Sequence, residues 1–107
     1  MTDVTFRPTA KMAAAARRGL RLREKFGRGG TDVGVRRAEQ LAVSETLDAA
    51  DVKSIHSYFA RHAVDRAAKP DQWNTDINPS AGFIAWLLWG GDAGQEWAAR
   101  KAKGLLE

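Results

Sequence analysis

Pro79-Ser80-Ala81-Gly82-Phe83-Ile84-Ala85-Trp86-Leu87-Leu88-Trp89-Gly90-Gly91-Asp92-Ala93-Gly94 is the least polar stretch of this chain. From Ala81 to Trp89 no residue is charged or strongly polar. These nine residues fall well short of the roughly 20 needed to cross a bilayer. The stretch is therefore read as the buried core of a small soluble domain, and as a helix. Asn78 or Ser80 can cap its start, and Pro79 suits its first turn, where a missing N–H costs nothing. Gly90 and Gly91 end it, because glycine accepts the left-handed conformation that closes a helix. Its apolar residues run all the way round, as expected of a central helix touched on every side. A buried strand is the rival reading, but Ala, Leu and Gly outnumber β-branched residues here.

Working outward, residues 1–8 read as a flexible lead and 9–107 as a single helical domain. Thr9 or Thr5 caps a first helix that runs to about Phe26. Met12, Ala15, Ala16, Leu20, Leu22 and Phe26 form its apolar stripe. Gly27-Arg28-Gly29-Gly30-Thr31 then makes a sharp turn that side-chain-bearing residues could not follow as cheaply. Thr31 or Asp32 caps a second helix to about Ala42. Gly34 inside it costs about 1 kcal/mol against Ala, so it marks a close helix–helix contact. Asp48 caps a third helix from Ala49 to about Ala67 or Ala68, with Val52, Ile55, Phe59 and Ala63 on one side. Lys69 to Asn78 is a polar loop, with Trp73 as a lid over the core. Asp92 caps a last helix that carries Trp97, Ala98, Leu105 and Leu106. The fold expected is all-α, a bundle of about five helices around a buried central one. Nothing alternates with period two for long enough to make a sheet.

At 107 residues the chain is one domain by size. It has no cysteine, hence no disulfide and no thiolate metal site, which fits a reducing compartment. Met1 to Phe6 lacks the positive head and long apolar run of a signal peptide. Charge is unevenly placed. Residues 1–40 hold ten basic residues against four acids, an excess of +6, so the net +4 leaves −2 for the remainder. Arg17, Arg21, Lys25 and Arg28 follow helical spacing and project one way from the first helix, with Arg18 beside them. Such a surface points to a polyanion or an acidic protein as partner. The plainer reading is a solvated helix face.

The Gly27–Thr31 turn feeds a helix N-terminus, an arrangement able to hold an anion. Neither the P-loop lysine nor a preceding strand is present, and the dinucleotide fingerprint is absent, so the turn reads first as structural. His56 and His62 sit six residues apart on one helix and cannot share a metal. His62 with Asp65 reads as an i,i+3 hydrogen-bonded pair. Trp73, Trp86, Trp89 and Trp97 lie outside the basic region, so they read as core rather than as stacking platforms for single strands. Their N–H groups need acceptors when buried, and Asp76 or Asp92 can serve. No nucleophile–base–acid set is legible. The expectation is a non-enzymatic protein with no cofactor and no metal.

Three motifs carry a resemblance: Gly27-Arg28-Gly29-Gly30-Thr31 with Val33-Gly34-Val35, Ser57-Tyr58-Phe59-Ala60-Arg61-His62 with Asp65, and Pro79-Ser80-Ala81-Gly82 with Ile84 to Gly94 and Trp97. Together they resemble a small helical module that recurs in bacteriophage proteins, over about residues 18–103. The resemblance implies a phage or prophage origin, as a free-standing protein or as part of larger phage proteins, some connected with heads. It implies no activity and no catalytic residue. Phe83 departs from the polar or basic residue expected there, and Ala63 from the usual acid.

The function expected is that of a phage-encoded nucleic-acid-binding protein. The second and third helices would form a helix-turn-helix with Ala42–Leu47 as the turn. Lys53, Ser57 and Arg61 would face a groove, while Arg17, Arg18, Arg21, Lys25 and Arg28 hold phosphates. The alternative is a non-enzymatic protein-interaction module that acts in phage assembly or on a host factor. No membrane partner is expected, and a homo-oligomer is allowed for. The expected location is the cytoplasm of an infected bacterial host, or the virion.

Overall fold

The Thr9 hydroxyl accepts the Met12 backbone N–H at 3.2 Å and starts α1 (Ala10–Phe26) in the computed structural model, which describes residues 4–106. Gly27, at φ 64°, closes α1 and returns its N–H to Arg23 O. Thr31 caps α2 (Asp32–Ala42) through the Gly34 N–H. Asp48 caps α3 (Ala49–His62), and Asp51 answers by accepting the Asp48 N–H, a reciprocal capping box. A short α4 (Asp65–Ala68) and a 3-10 turn (Pro70–Gln72) lead to α5 (Ala81–Leu88), and α6 (Gly91–Leu106) ends the described chain. The protein is all-α. Among the described residues there is no strand, only one antiparallel bridge between Phe6 and Leu47.

The expected central helix is central. Phe83, Ile84, Trp86, Leu87 and Leu88 of α5 are all buried, and α5 packs against each of the other five helices. It needs only eight residues because its neighbours, not its length, stabilise it. Small residues let those neighbours close in. A Cβ on Gly19 of α1 would lie 2.9 Å from Leu87 Cβ and from Leu88 N. A Cβ on Gly34 of α2 would lie 3.3 Å from Trp89 Nε1, so the close contact expected there is present, against α5. α3 lies on α6, where Val52, Ile55 and Phe59 join Trp97, Ala98 and Ala102 in the core.

Four expectations change. The third helix stops at His62 rather than near Ala68. Ala63 and Val64 keep helical angles, but α4 forms a separate turn that packs against α5. Pro79 is not in the first turn of α5; it is buried and precedes the Ser80 cap. Asp92 does not cap α6, which begins at Gly91; it lies in the first turn and accepts from Trp86 Nε1 at 2.9 Å. The lead is tied down at Phe6, which exchanges two backbone hydrogen bonds with Leu47 (2.8 and 2.7 Å) and meets the Trp97 ring edge-on. Met1 to Asp3 lie outside the described residues. Among the described residues no helix is long and apolar enough to cross a membrane.

Candidate functional site

The cations expected to hold phosphate divide into two groups. Arg17 is exposed, yet its Nη1 donates to Ala42 O at 3.0 Å and so satisfies a carbonyl at the end of α2. Arg18 pairs with Asp76 at 2.7 Å and covers the Phe83 ring at 5.1 Å. Arg28 donates twice to Pro79 O (3.0 and 2.8 Å) and once to Asn78 Oδ1 (2.9 Å). These three arginines fasten one part of the fold to another. Arg21 and Lys25 remain exposed, with no hydrogen-bond acceptor or ion-pair partner among the described residues. Arg36 on α2, which spacing did not single out, is in the same position.

Lys53, Ser57 and Arg61 are exposed in one row along α3, and Arg61 Nη1 donates to Ser57 Oγ at 2.6 Å. In a helix-turn-helix the two helices pack on each other across a short turn. Here α2 lies against α1 and α5, while α3 lies chiefly on α6. The connection is extended at Leu47, whose side chain is buried and whose backbone pairs with Phe6. The helix-turn-helix expectation therefore does not describe this pair. What joins α2 to α3 is Arg37, whose Nη1 meets Asp51 Oδ1 at 2.9 Å and Gln40 Oε1 at 2.9 Å. Burial raises the Asp51 carboxyl, but the Asp48 backbone N–H and the Arg37 guanidinium outweigh it and hold the group below its ordinary value.

A second arrangement was not legible in the sequence. The Arg28 clamp sets the turn before α2 beside the turn before α5, and Arg23 Nε steadies the first of them through Gly29 O at 2.9 Å. Gly29 (φ 99°) is glycine for two reasons: its conformation, and the fact that a Cβ would lie 2.6 Å from Ile84 Cβ. Two helix N-termini consequently open into one cleft of about 540 Å³. Gly30 and Thr31 of the preceding turn and Val33 of α2 line one side, and Ala81 and Gly82 of α5 another. The first-turn N–H groups of Val33, Ala81 and Gly82 have no intrahelical acceptor.

The third wall comes from α3 and α4. Tyr58, only 5 % exposed, lies flat on Trp89 with ring centroids 4.6 Å apart and planes 5° from parallel. His62 stacks on Tyr58 at 4.5 Å, and its Nδ1 lies 3.1 Å from Asp65 Oδ2, the i,i+3 pair expected. Arg61 borders the same cleft. The Tyr58 hydroxyl is buried and has no hydrogen-bond partner among the described residues. Burial, and then the Asp65 charge, push this phenol above its ordinary value, with Arg61 opposing. It therefore stays protonated at neutral pH and is a donor without an acceptor.

The spacing paired His62 with Asp65, but it could not join them to Tyr58, Thr31 and Gly82. The usable signal was that the three quoted motifs each contribute to this cleft: Gly30 and Thr31, Tyr58 to Asp65, and Ala81, Gly82 and Trp89. Comparison with known proteins returns no matching family model, no matching curated protein and no matching solved structure.

Proposed function

We propose that this chain is a non-enzymatic nucleic-acid-binding domain of phage or prophage origin, which meets the phosphate backbone with the exposed side of α1. The observation that carries the reading is the pair Arg21 and Lys25. They sit in the segment that holds the +6 excess; neither has a hydrogen-bond or ion-pair partner among the described residues, and Lys25 Nζ lies only over the adjacent Phe26 ring at 5.4 Å. Arg36 extends the surface onto α2. Arg17, Arg18 and Arg28 shape it without being spent on the ligand. The resemblance to a phage module supports the origin.

A mobility-shift titration against duplex and single-stranded DNA over a range of salt tests the reading. Phosphate contacts release counterions, so affinity should fall steeply as salt rises. Replacing Arg21 and Lys25 by Glu should abolish binding and leave the melting temperature nearly unchanged, because neither side chain holds the fold together. The single change Arg21→Ala should flatten the slope of log affinity against log salt by about one unit. An acidic protein partner would require no such unit step. If the double Glu variant binds DNA as the parent does, the surface is a solvated face and the reading fails.

A further inference from the structure

We propose that the cleft between α2, α3 and α5 is a binding site for a phosphate monoester, separate from the α1 surface. Two helices that start side by side supply the electrostatics. Each N-terminus carries roughly half a positive charge in its unsatisfied N–H groups. Here α2 and α5, eleven and eight residues long, both begin at the lining of one cleft. Within each first turn, one N–H is already taken by the cap: Gly34 by Thr31 Oγ1 and Phe83 by Ser80 Oγ. Those of Val33, Ala81 and Gly82 are left for an oxyanion, the kind of ligand helix N-termini bind.

The second observation is independent of the helices. Tyr58 lines the cleft, is 95 % buried by its 5 % exposure, and has a hydroxyl with no acceptor among the described residues. A buried donor left unmade is expensive. A phosphoryl oxygen seated in the cleft supplies the missing acceptor. Arg61 adds one full positive charge and can make charge-assisted bonds to the same group. Its present partner, Ser57 Oγ, is a neutral hydroxyl on the surface and an easy one to exchange. Asp65 is the one acid in the lining, and His62 already engages its carboxylate. The volume, about 540 Å³, exceeds what inorganic phosphate fills and lies within the range of small-ligand sites, about 300–1,000 Å³. The remaining space borders the Trp89–Tyr58–His62 stack and the exposed Val33, a wall suited to the flat or apolar part of an ester.

The test is a titration of isotope-labelled protein followed by amide chemical shifts. Inorganic phosphate, phenyl phosphate and a short oligonucleotide with a 5′-phosphate or a 5′-hydroxyl are the probes. Saturable shifts at Val33, Ala81 and Gly82 are expected, with phenyl phosphate tighter than inorganic phosphate. Arg61→Gln should weaken binding about tenfold, the effect of one lost charge-assisted contact. Tyr58→Phe should weaken it by a smaller factor yet melt no lower than the parent, since it deletes an unmade hydrogen bond and keeps the ring. A 5′-phosphate tighter than its 5′-hydroxyl twin supports the site and assigns it to nucleic-acid ends. Saturation by phenyl phosphate with no difference between the twins supports it and assigns a free small ester. Shifts that never saturate, or that fall only on α1, overturn the proposal. So does unchanged affinity in both Arg61→Gln and Tyr58→Phe. The α1 variant with Arg21 and Lys25 replaced by Glu should bind phenyl phosphate normally, so the two proposals fail separately.

Discussion

Trp86 uses both its ring and its N–H. The ring meets Phe59 edge-on at 4.6 Å and Trp73 at 5.4 Å, while Nε1 donates to Asp92 Oδ1, which Arg66 also holds at 2.6 Å. Trp86→Ala opens a cavity and removes the Nε1 hydrogen bond to Asp92. The expected cost is on the order of 3–5 kcal/mol, most of the stability of a domain this size. Urea melts check this, and a loss under about 1 kcal/mol would mean that the core does not depend on α5. Glycines in the turn before α2 separate conformation from space. Gly27 (φ 64°) has nothing within 4 Å of a Cβ, whereas Gly29 (φ 99°) would drive one into Ile84. Gly27→Ala should cost about 1–2 kcal/mol, the left-handed penalty alone. Gly29→Ala should cost clearly more. Equal melts for the two variants would show that the turn relaxes and that its packing on α5 is loose.

Element boundaries were legible wherever a local signal set them. Thr9, Thr31, Asp48 and Ser80 all cap, and Gly27 and Gly90 follow the helices they close. The end of α3 was not legible because residues 63–68 contain no breaker, only Ala, Val, Asp and Arg. The break serves tertiary structure: it turns α4 onto α5, where Asp65 Cβ comes within 3.3 Å of the space a Cβ on Gly82 would take. The link between α2 and α3 was also hidden, since spacing cannot show that Arg37 spans to Asp51 under cover of the Trp89 ring, 5.5 Å away. That link carries a pH dependence. The native Asp51 carboxyl sits below its ordinary value, so its contribution to stability is complete above about pH 4 and is lost as pH falls through the depressed native value. Asp51→Asn should remove that part of the acid limb and leave a flatter stability profile below about pH 4. Parallel limbs in chemical melts of the two proteins would mean that the pair is not made in solution.

At the scale of the molecule, the chain spreads over 47 × 25 × 21 Å yet keeps a radius of gyration of 13.4 Å, close to the ~13 Å expected for a domain of about 100 residues. The five longer helices, the central one among them, could be read from the sequence because each depends on a pattern a few residues long. The cleft could not, because its walls come from residues 30–33, 54–65 and 81–89 and exist only after α5 has gathered the other helices. Stability is also uneven across the fold. α5 is buried almost throughout, whereas α4 and the 3-10 turn contain no buried residue. The segment from Asp65 to Asn78 is held by half-buried Trp73, by the side-chain hydrogen bonds His62–Asp65 and Arg28–Asn78 at its ends, and by two ion pairs at the surface, Arg18–Asp76 and Arg66–Asp92. Surface pairs of that kind contribute about 0–1 kcal/mol each, and less at high salt. Native-state hydrogen exchange should therefore show amides of residues 65–78 opening locally at low cost, and more readily as salt rises. Amides of α5 should exchange only through global unfolding. Equal protection of the two segments would mean that Trp73 anchors the loop as firmly as the core, and that the Asp65 side of the cleft is as fixed as its α5 side.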